Sequence, residues 1–138
     1  MGSAAGPVVL VEDDDGMRAA LARVLGIAGF HVRAFASAEA FQHACTAAPP
    51  TCACMVLDIR LPGASGLDLM QWLRSRHATF PVVMMTAFDS AAAREQALEA
   101  GAVACLLKPF AGQVLLSAVR QAVGDPLDGA ASLGVGDR

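Results

Sequence analysis

Met55-Val56-Leu57-Asp58-Ile59-Arg60-Leu61-Pro62-Gly63 is a short apolar run that ends on a carboxylate and then breaks into a Pro-Gly turn. The run is short for a helix and has no polar alternation, so it reads as a strand buried on both faces. The same arrangement recurs on either side of it. Val8-Val9-Leu10-Val11 runs into Glu12-Asp13, Val82-Val83-Met84-Met85 into Thr86, and Cys105-Leu106-Leu107 into Lys108-Pro109. Helix-length stretches separate these runs, as in a parallel sheet. In an open parallel sheet the chemistry gathers at the carboxyl ends of the strands. One rim therefore collects Glu12, Asp13, Asp58, Thr86 and Lys108. Carboxylates, a hydroxyl and an ammonium in one place suit a divalent cation and a phosphoryl group.

Composition narrows the class. The chain has 138 residues, 55% of them hydrophobic, and a mean hydropathy of +0.49. That length can bury one real core. Much of the apolar content is alanine in helical stretches. No apolar run approaches the roughly 18 residues of a membrane-spanning helix, and no basic segment precedes an apolar one at the N-terminus. A cytoplasmic setting without membrane contact is expected. A net charge of -3 gives no electrostatic case for direct binding to nucleic acid. The cysteines are Cys45, Cys52, Cys54 and Cys105. Cys52 and Cys54, two apart on a strand, are expected to face the same way. A zinc site would need further soft ligands, so the cysteines read as small core residues in a reducing compartment.

Five strand-helix units follow along the chain. The strands are expected at about Val8–Glu12, His31–Phe35, Ala53–Asp58, Pro81–Thr86 and Val103–Leu107. The second alternates polar and apolar residues, which suits an edge. The first helix starts near Asp15, with Met17, Leu21, Val24, Leu25 and Ala28 on one face and Gly29 as its stop. Ser37 caps a helix to about Ala47, and Leu67, Met70 and Leu73 mark one to about Arg76. Ser90 caps a fourth helix to about Ala100. The last runs from about Gly112 to Val123 with Val114, Leu115, Ala118, Val119 and Ala122 inward. Residues 1–6 read as a disordered N-terminus, 7–123 as one domain, and 124–138 as a flexible tail or the start of a linker. The expected fold is an α/β, flavodoxin-like, doubly wound (βα)5 sandwich with sheet order 2-1-3-4-5.

Val8–Asp14, Leu57–Gly63, Met85-Thr86-Ala87 and Leu107-Lys108-Pro109-Phe110 together resemble the signature segments of response-regulator receiver domains of two-component signalling. The resemblance covers about Pro7 to Val123, in order. It implies a phosphorylation-activated switch in which Asp58 takes a phosphoryl group from a phosphohistidine on a sensor histidine kinase or a histidine phosphotransfer domain. It implies Mg2+ (or Mn2+) held by Asp13, Asp58 and the backbone carbonyl of Arg60, with Glu12 acting through water. Thr86, Ala87 and Lys108 would bind the phosphoryl group and relay the switch. A cis bond is implied at Lys108-Pro109. Arg60 and Phe88 would tune the lifetime of the phosphorylated state. The readout face, and a possible homodimer contact, would be the fourth helix, fifth strand and fifth helix.

One position departs from the family pattern. Cys105, three before the lysine, stands where the family usually has an aromatic residue, and the chain has no tyrosine. Cysteine cannot fill the space of a ring, which puts the aromatic half of the relay in doubt. Three alternatives remain. A phosphate-independent receiver-like interaction module would lack Mg2+ binding. A Mg-dependent aspartyl-phosphate phosphatase of the haloacid-dehalogenase type wants a second acid two residues after the nucleophile, where Arg60 stands. A flavin-binding protein would place a phosphate against the acidic Glu12–Gly16 loop.

Overall fold

A computed structural model describes residues 6–45, 50–87 and 91–124. Strands β1 (Val8–Val11), β2 (Val32–Phe35), β3 (Cys54–Asp58), β4 (Val82–Thr86) and β5 (Ala104–Leu107) alternate with helices α1 (Asp15–Ile27), α2 (Ala38–Ala44), α3 (Gly66–Ser75), α4 (Ala91–Glu99) and α5 (Gly112–Val123). The strands form one parallel sheet in the order β2-β1-β3-β4-β5, the flavodoxin-like order expected. Every residue of β1, β3 and β4 is buried. β2, at the edge, keeps Arg33 and Ala34 exposed.

The pleat sorts the strand side chains into two layers. Val8, Leu10, Cys54, Val56, Val83 and Met85 meet Leu21 and Leu25 of α1 and Leu115 and Val119 of α5. Val9, Val11, Met55, Leu57, Met84 and Cys105 meet α2, α3 and α4 through Phe41, Leu69, Leu73 and Ala97. Local chemistry sets the helix starts. Asp14 Oδ2 accepts the Met17 N–H at 2.7 Å, and Ser37 Oγ accepts the Ala40 N–H at 3.0 Å. Ser65 and Asp68 form a reciprocal capping box, so three helices begin on side-chain caps worth about 1 kcal/mol each.

Two expectations need correcting. Val114 is 46% exposed rather than inward, because the buried stripe of α5 runs through Leu115 and Val119 and Val114 lies beside it. Cys52 and Cys54 point into opposite layers. The chain bends at Ala53 and β3 begins only at Cys54, so the two-residue period does not reach back to Cys52. The end of α2 near Ala47, the Ser90 cap and the stretch from Asp125 lie outside the described residues.

Candidate functional site

The carboxyl ends of β1, β3, β4 and β5 converge in register. Asp58 lies level with Met85, and Thr86 with Leu107. Glu12 follows β1 directly and is fully buried, whereas Asp13 beside it is exposed. Carboxylate oxygens of Glu12, Asp13 and Asp58 all lie within 4.8 Å of one another. Lys108, after β5, closes the cluster: its Nζ donates to Glu12 Oε1 at 2.8 Å and to Asp58 Oδ2 at 3.0 Å. Lys108-Pro109 is cis, as expected.

Each of the two acids that Lys108 bridges is oriented by a second partner. The Asp14 N–H donates to Glu12 Oε2 at 3.1 Å, and the Arg60 N–H donates to Asp58 Oδ1 at 3.1 Å. Asp58 thus has one oxygen on a backbone donor and the other on an ammonium. The Arg60 side chain is exposed. Thr86 is fully buried, its carbonyl accepts the Lys108 N–H at 2.8 Å, and its Oγ1 has no hydrogen-bond partner among the described residues. A buried hydroxyl without a partner is costly, and this one ends the strand next to Asp58. Ala87 follows it, exposed. Phe88 lies outside the described residues. Cys105 is buried on the α2–α3–α4 side of the sheet, with Ala97 in the same cluster.

Burial pushes the Glu12 carboxyl up, against the pull of the Lys108 and Asp14 hydrogen bonds, and the Asp58 charge adds to the rise. For Lys108, burial works to lower the ammonium, but the hydrogen bonds to Glu12 and Asp58 and their charges outweigh it and leave it raised. One ammonium thus faces an acidic cluster with charge to spare. An excess of oxygen donors with one exposed carboxylate on the solvent side fits a hard cation such as Mg2+.

Three residues shape this site through contacts that the sequence does not spell out. Arg18 Nη1 reaches back from α1 to the Glu12 carbonyl at 3.0 Å and the Asp13 carbonyl at 3.4 Å. Glu39 Oε2, on α2, accepts the Ala64 N–H at 2.8 Å. Gly66, at the start of α3, leaves no room for a side chain: a Cβ would stand 2.5 Å from the Asp58 carbonyl oxygen. These are contacts between elements, and only the glycine pair in the loop hints at them.

Comparison with known proteins agrees with this geometry. The family model described as the response regulator receiver domain matches residues 8–120. The transcriptional regulatory protein FixJ of Azorhizobium caulinodans is 37% identical over 118 residues, 86% of this chain and 55% of that protein. Nodulation protein W of Bradyrhizobium diazoefficiens is 38% identical over 112 residues, 81% of this chain and 48% of that protein. The chain thus spans about half the length of these relatives. Among solved structures, FixJ-N superimposes with a TM-score of 0.79 at 30% identity, covering 89% of this chain and 97% of that one. Five parallel strands in this order, the acidic rim and the match over residues 8–120 lead to one conclusion: the chain belongs to the response regulator receiver domain family.

Proposed function

We propose that residues 7–123 are a phosphoryl-accepting switch in which Asp58 is the nucleophile. The observation that carries this reading is the single ammonium of Lys108 bridging Glu12 and Asp58 at 2.8 and 3.0 Å. The substrate is a phosphohistidine on a sensor histidine kinase or phosphotransfer domain. As an Asp58 oxygen bonds to phosphorus, the P–N bond to the donor histidine breaks. The barrier is mainly charge repulsion between carboxylate and phosphoryl oxygens. Mg2+ or Mn2+, held by Asp13, Asp58 and the Arg60 carbonyl with Glu12 through water, supplies Lewis-acid neutralisation when bound. Lys108 moves from its bridge onto a phosphoryl oxygen as a point charge. The Arg60 N–H keeps the carboxylate oriented for in-line attack.

The added phosphate carries roughly two negative charges and three acceptors. Thr86 Oγ1, without a partner among the described residues, is the donor positioned to take one, and the exposed Ala87 leaves that side open. This movement biases the fourth helix and fifth strand between two states. Leu98, Val103, Leu107 and Val114 are exposed on or beside α4, β5 and α5, a face suited to docking a partner or a second copy. With Cys105 in place of an aromatic residue, the relay runs through Thr86 and the backbone. Cys105→Tyr should strengthen phosphorylation-dependent partner binding, and an unchanged affinity would remove that idea. Arg60 and Phe88 set how readily water reaches the phosphoryl group. The setting is cytoplasmic.

The decisive test is intact mass after incubation with Mg2+ and acetyl phosphate. One adduct on the wild type, absent from Asp58→Asn and lost with EDTA, is the expected result. No adduct together with no Mg2+ binding would replace this reading with a phosphate-independent interaction module. Rapid turnover of a phosphate ester without a stable adduct would favour a phosphatase.

A further inference from the structure

Glu39 stands apart from the acids of the rim. It is exposed, in the first turn of α2, and 25 residues from the backbone group that it holds. Its Oε2 accepts the Ala64 N–H at 2.8 Å and lies 2.5 Å from where a Gly63 Cβ would be. Gly63, directly before that Ala64 N–H, has φ +76°, a left-handed conformation that favours glycine. The contact holds the carboxyl below the usual carboxylate range, chiefly through that backbone hydrogen bond and against the nearby Asp68 charge. An exposed glutamate ordinarily samples many rotamers, so immobilising this one has an entropic cost.

The segment it holds links Asp58 to α3. At one end the Arg60 N–H orients Asp58 Oδ1 at 3.1 Å. At the other the Gly66 N–H donates to the Ile59 carbonyl at 2.8 Å. Residues 60–64 lie between these points, with Leu61 and Ala64 packed against the core and the Ala64 N–H held by Glu39, and the Arg60 carbonyl proposed to face the cation lies in that span. We infer that Glu39 is a positioning residue for the divalent-cation site: by tying the turn at Gly63-Ala64 to α2 it holds the Arg60 backbone in place against Asp58. The inference rests on the reading of Asp58 and its neighbours as a cation and phosphoryl site. Glu39 touches neither the cation nor the phosphoryl group. It acts as outer-shell residues do, by fixing the orientation of a ligand; loss of such partners typically weakens metal affinity about 10- to 100-fold.

The test is Mn2+ binding to the full chain, followed by the loss of the free-ion electron paramagnetic resonance signal. Circular dichroism at the same temperature checks folding. Glu39→Ala should weaken Mn2+ binding about tenfold, the low end for an outer-shell partner. The rate of phosphorylation by acetyl phosphate at saturating Mg2+ should change much less, because added ion restores the occupied site. Glu39→Gln keeps an acceptor oxygen and should restore most of the affinity. Should Glu39→Ala not fold, Gly63→Ala probes the same contact from the loop side and should weaken Mn2+ binding too. Equal Mn2+ affinity for wild type and folded Glu39→Ala would overturn the positioning role while leaving the cation site standing. Equal losses in Glu39→Ala and Glu39→Gln would also overturn it, since charge rather than a hydrogen bond would then be at work. No Mn2+ binding by the wild type would instead sink the underlying reading.

Discussion

Thr86 is the residue on which the proposed change of state turns. Its hydroxyl is buried without a partner among the described residues, and an unsatisfied buried polar group costs about 1–3 kcal/mol. Thr86→Val keeps the branched shape and removes that cost. The variant should be more stable by about 1 kcal/mol, seen as a higher urea midpoint at unchanged slope, and should lose phosphorylation-dependent partner binding. A lower midpoint would mean that the hydroxyl is satisfied in solution. The cysteines carry a different expectation. Burial pushes the Cys52 thiol up to about 12, with the Cys54 charge adding to it, and burial alone pushes Cys54 up to about 12. In the native protein at pH 8 both should resist alkylation, and Cys45, half-buried, should react first; mass spectrometry of the labelled peptides reads the order. The residues at the strand ends were legible from the sequence, because each is the first polar group after an apolar run. The opposed directions of Cys52 and Cys54 were not. They depend on a bend at Ala53 that no residue type announces.

At the scale of elements, what was legible was periodicity, and what was not was contact between elements. β1, β3 and β4 are buried on both faces and read clearly as unbroken apolar runs. α5 read well from Leu115 and Val119, yet Val114 sits outside the stripe, since an apolar residue at the border of a helical face carries no mark of which side it takes. The junction between β3 and α3 was visible as a glycine loop, but its tightness was not. A Cβ at Gly66 would meet the Asp58 carbonyl oxygen at 2.5 Å and the Ile59 Cα at 2.8 Å. Both are backbone atoms that cannot swing aside. Gly66→Ala should therefore cost about 1–3 kcal/mol and displace the backbone under Asp58, so that phosphorylation by acetyl phosphate slows as well. α4 is the opposite case. Ala97 is its one buried residue, so little apolar area anchors it, and local opening tracks such anchoring. Its amides should exchange with deuterium faster than those of α3 and α5. Protection equal to theirs would argue against α4 as the element that shifts.

At the scale of the whole molecule, the acidic rim and the buried cysteines both contribute to the pH dependence of stability. Burial raises Glu12 above its ordinary value of 4.5. Its contribution is therefore fully present below about pH 4.5 and lost as pH rises through the raised value. Lys108 is raised above 10.5, so its stabilising contribution persists up to about that pH and is lost only above it. The metal-free protein should lose stability in two stages. The first comes in the mildly acid range, and the second starts above about pH 9.0 as Cys52 and Cys54 ionise in the unfolded chain. On the proposed reading Mg2+ should oppose the first loss, because it would bind the ionised carboxylates and only the folded chain holds them together. At a concentration about 100-fold above its Kd, the ion should add about 2.7 kcal/mol. That corresponds to a rise in Tm of roughly 8–12 °C for a domain of this size. Differential scanning calorimetry from pH 5 to 8, with Mg2+ and with EDTA, measures it directly. The gain should grow with pH as Glu12 ionises, and Asp13→Asn should abolish most of it, because that change removes the exposed carboxylate of the cluster without touching the Lys108 bridge. An Mg2+ effect that survives in Asp13→Asn would place the cation elsewhere. The charge balance would then have to be explained by Lys108 alone.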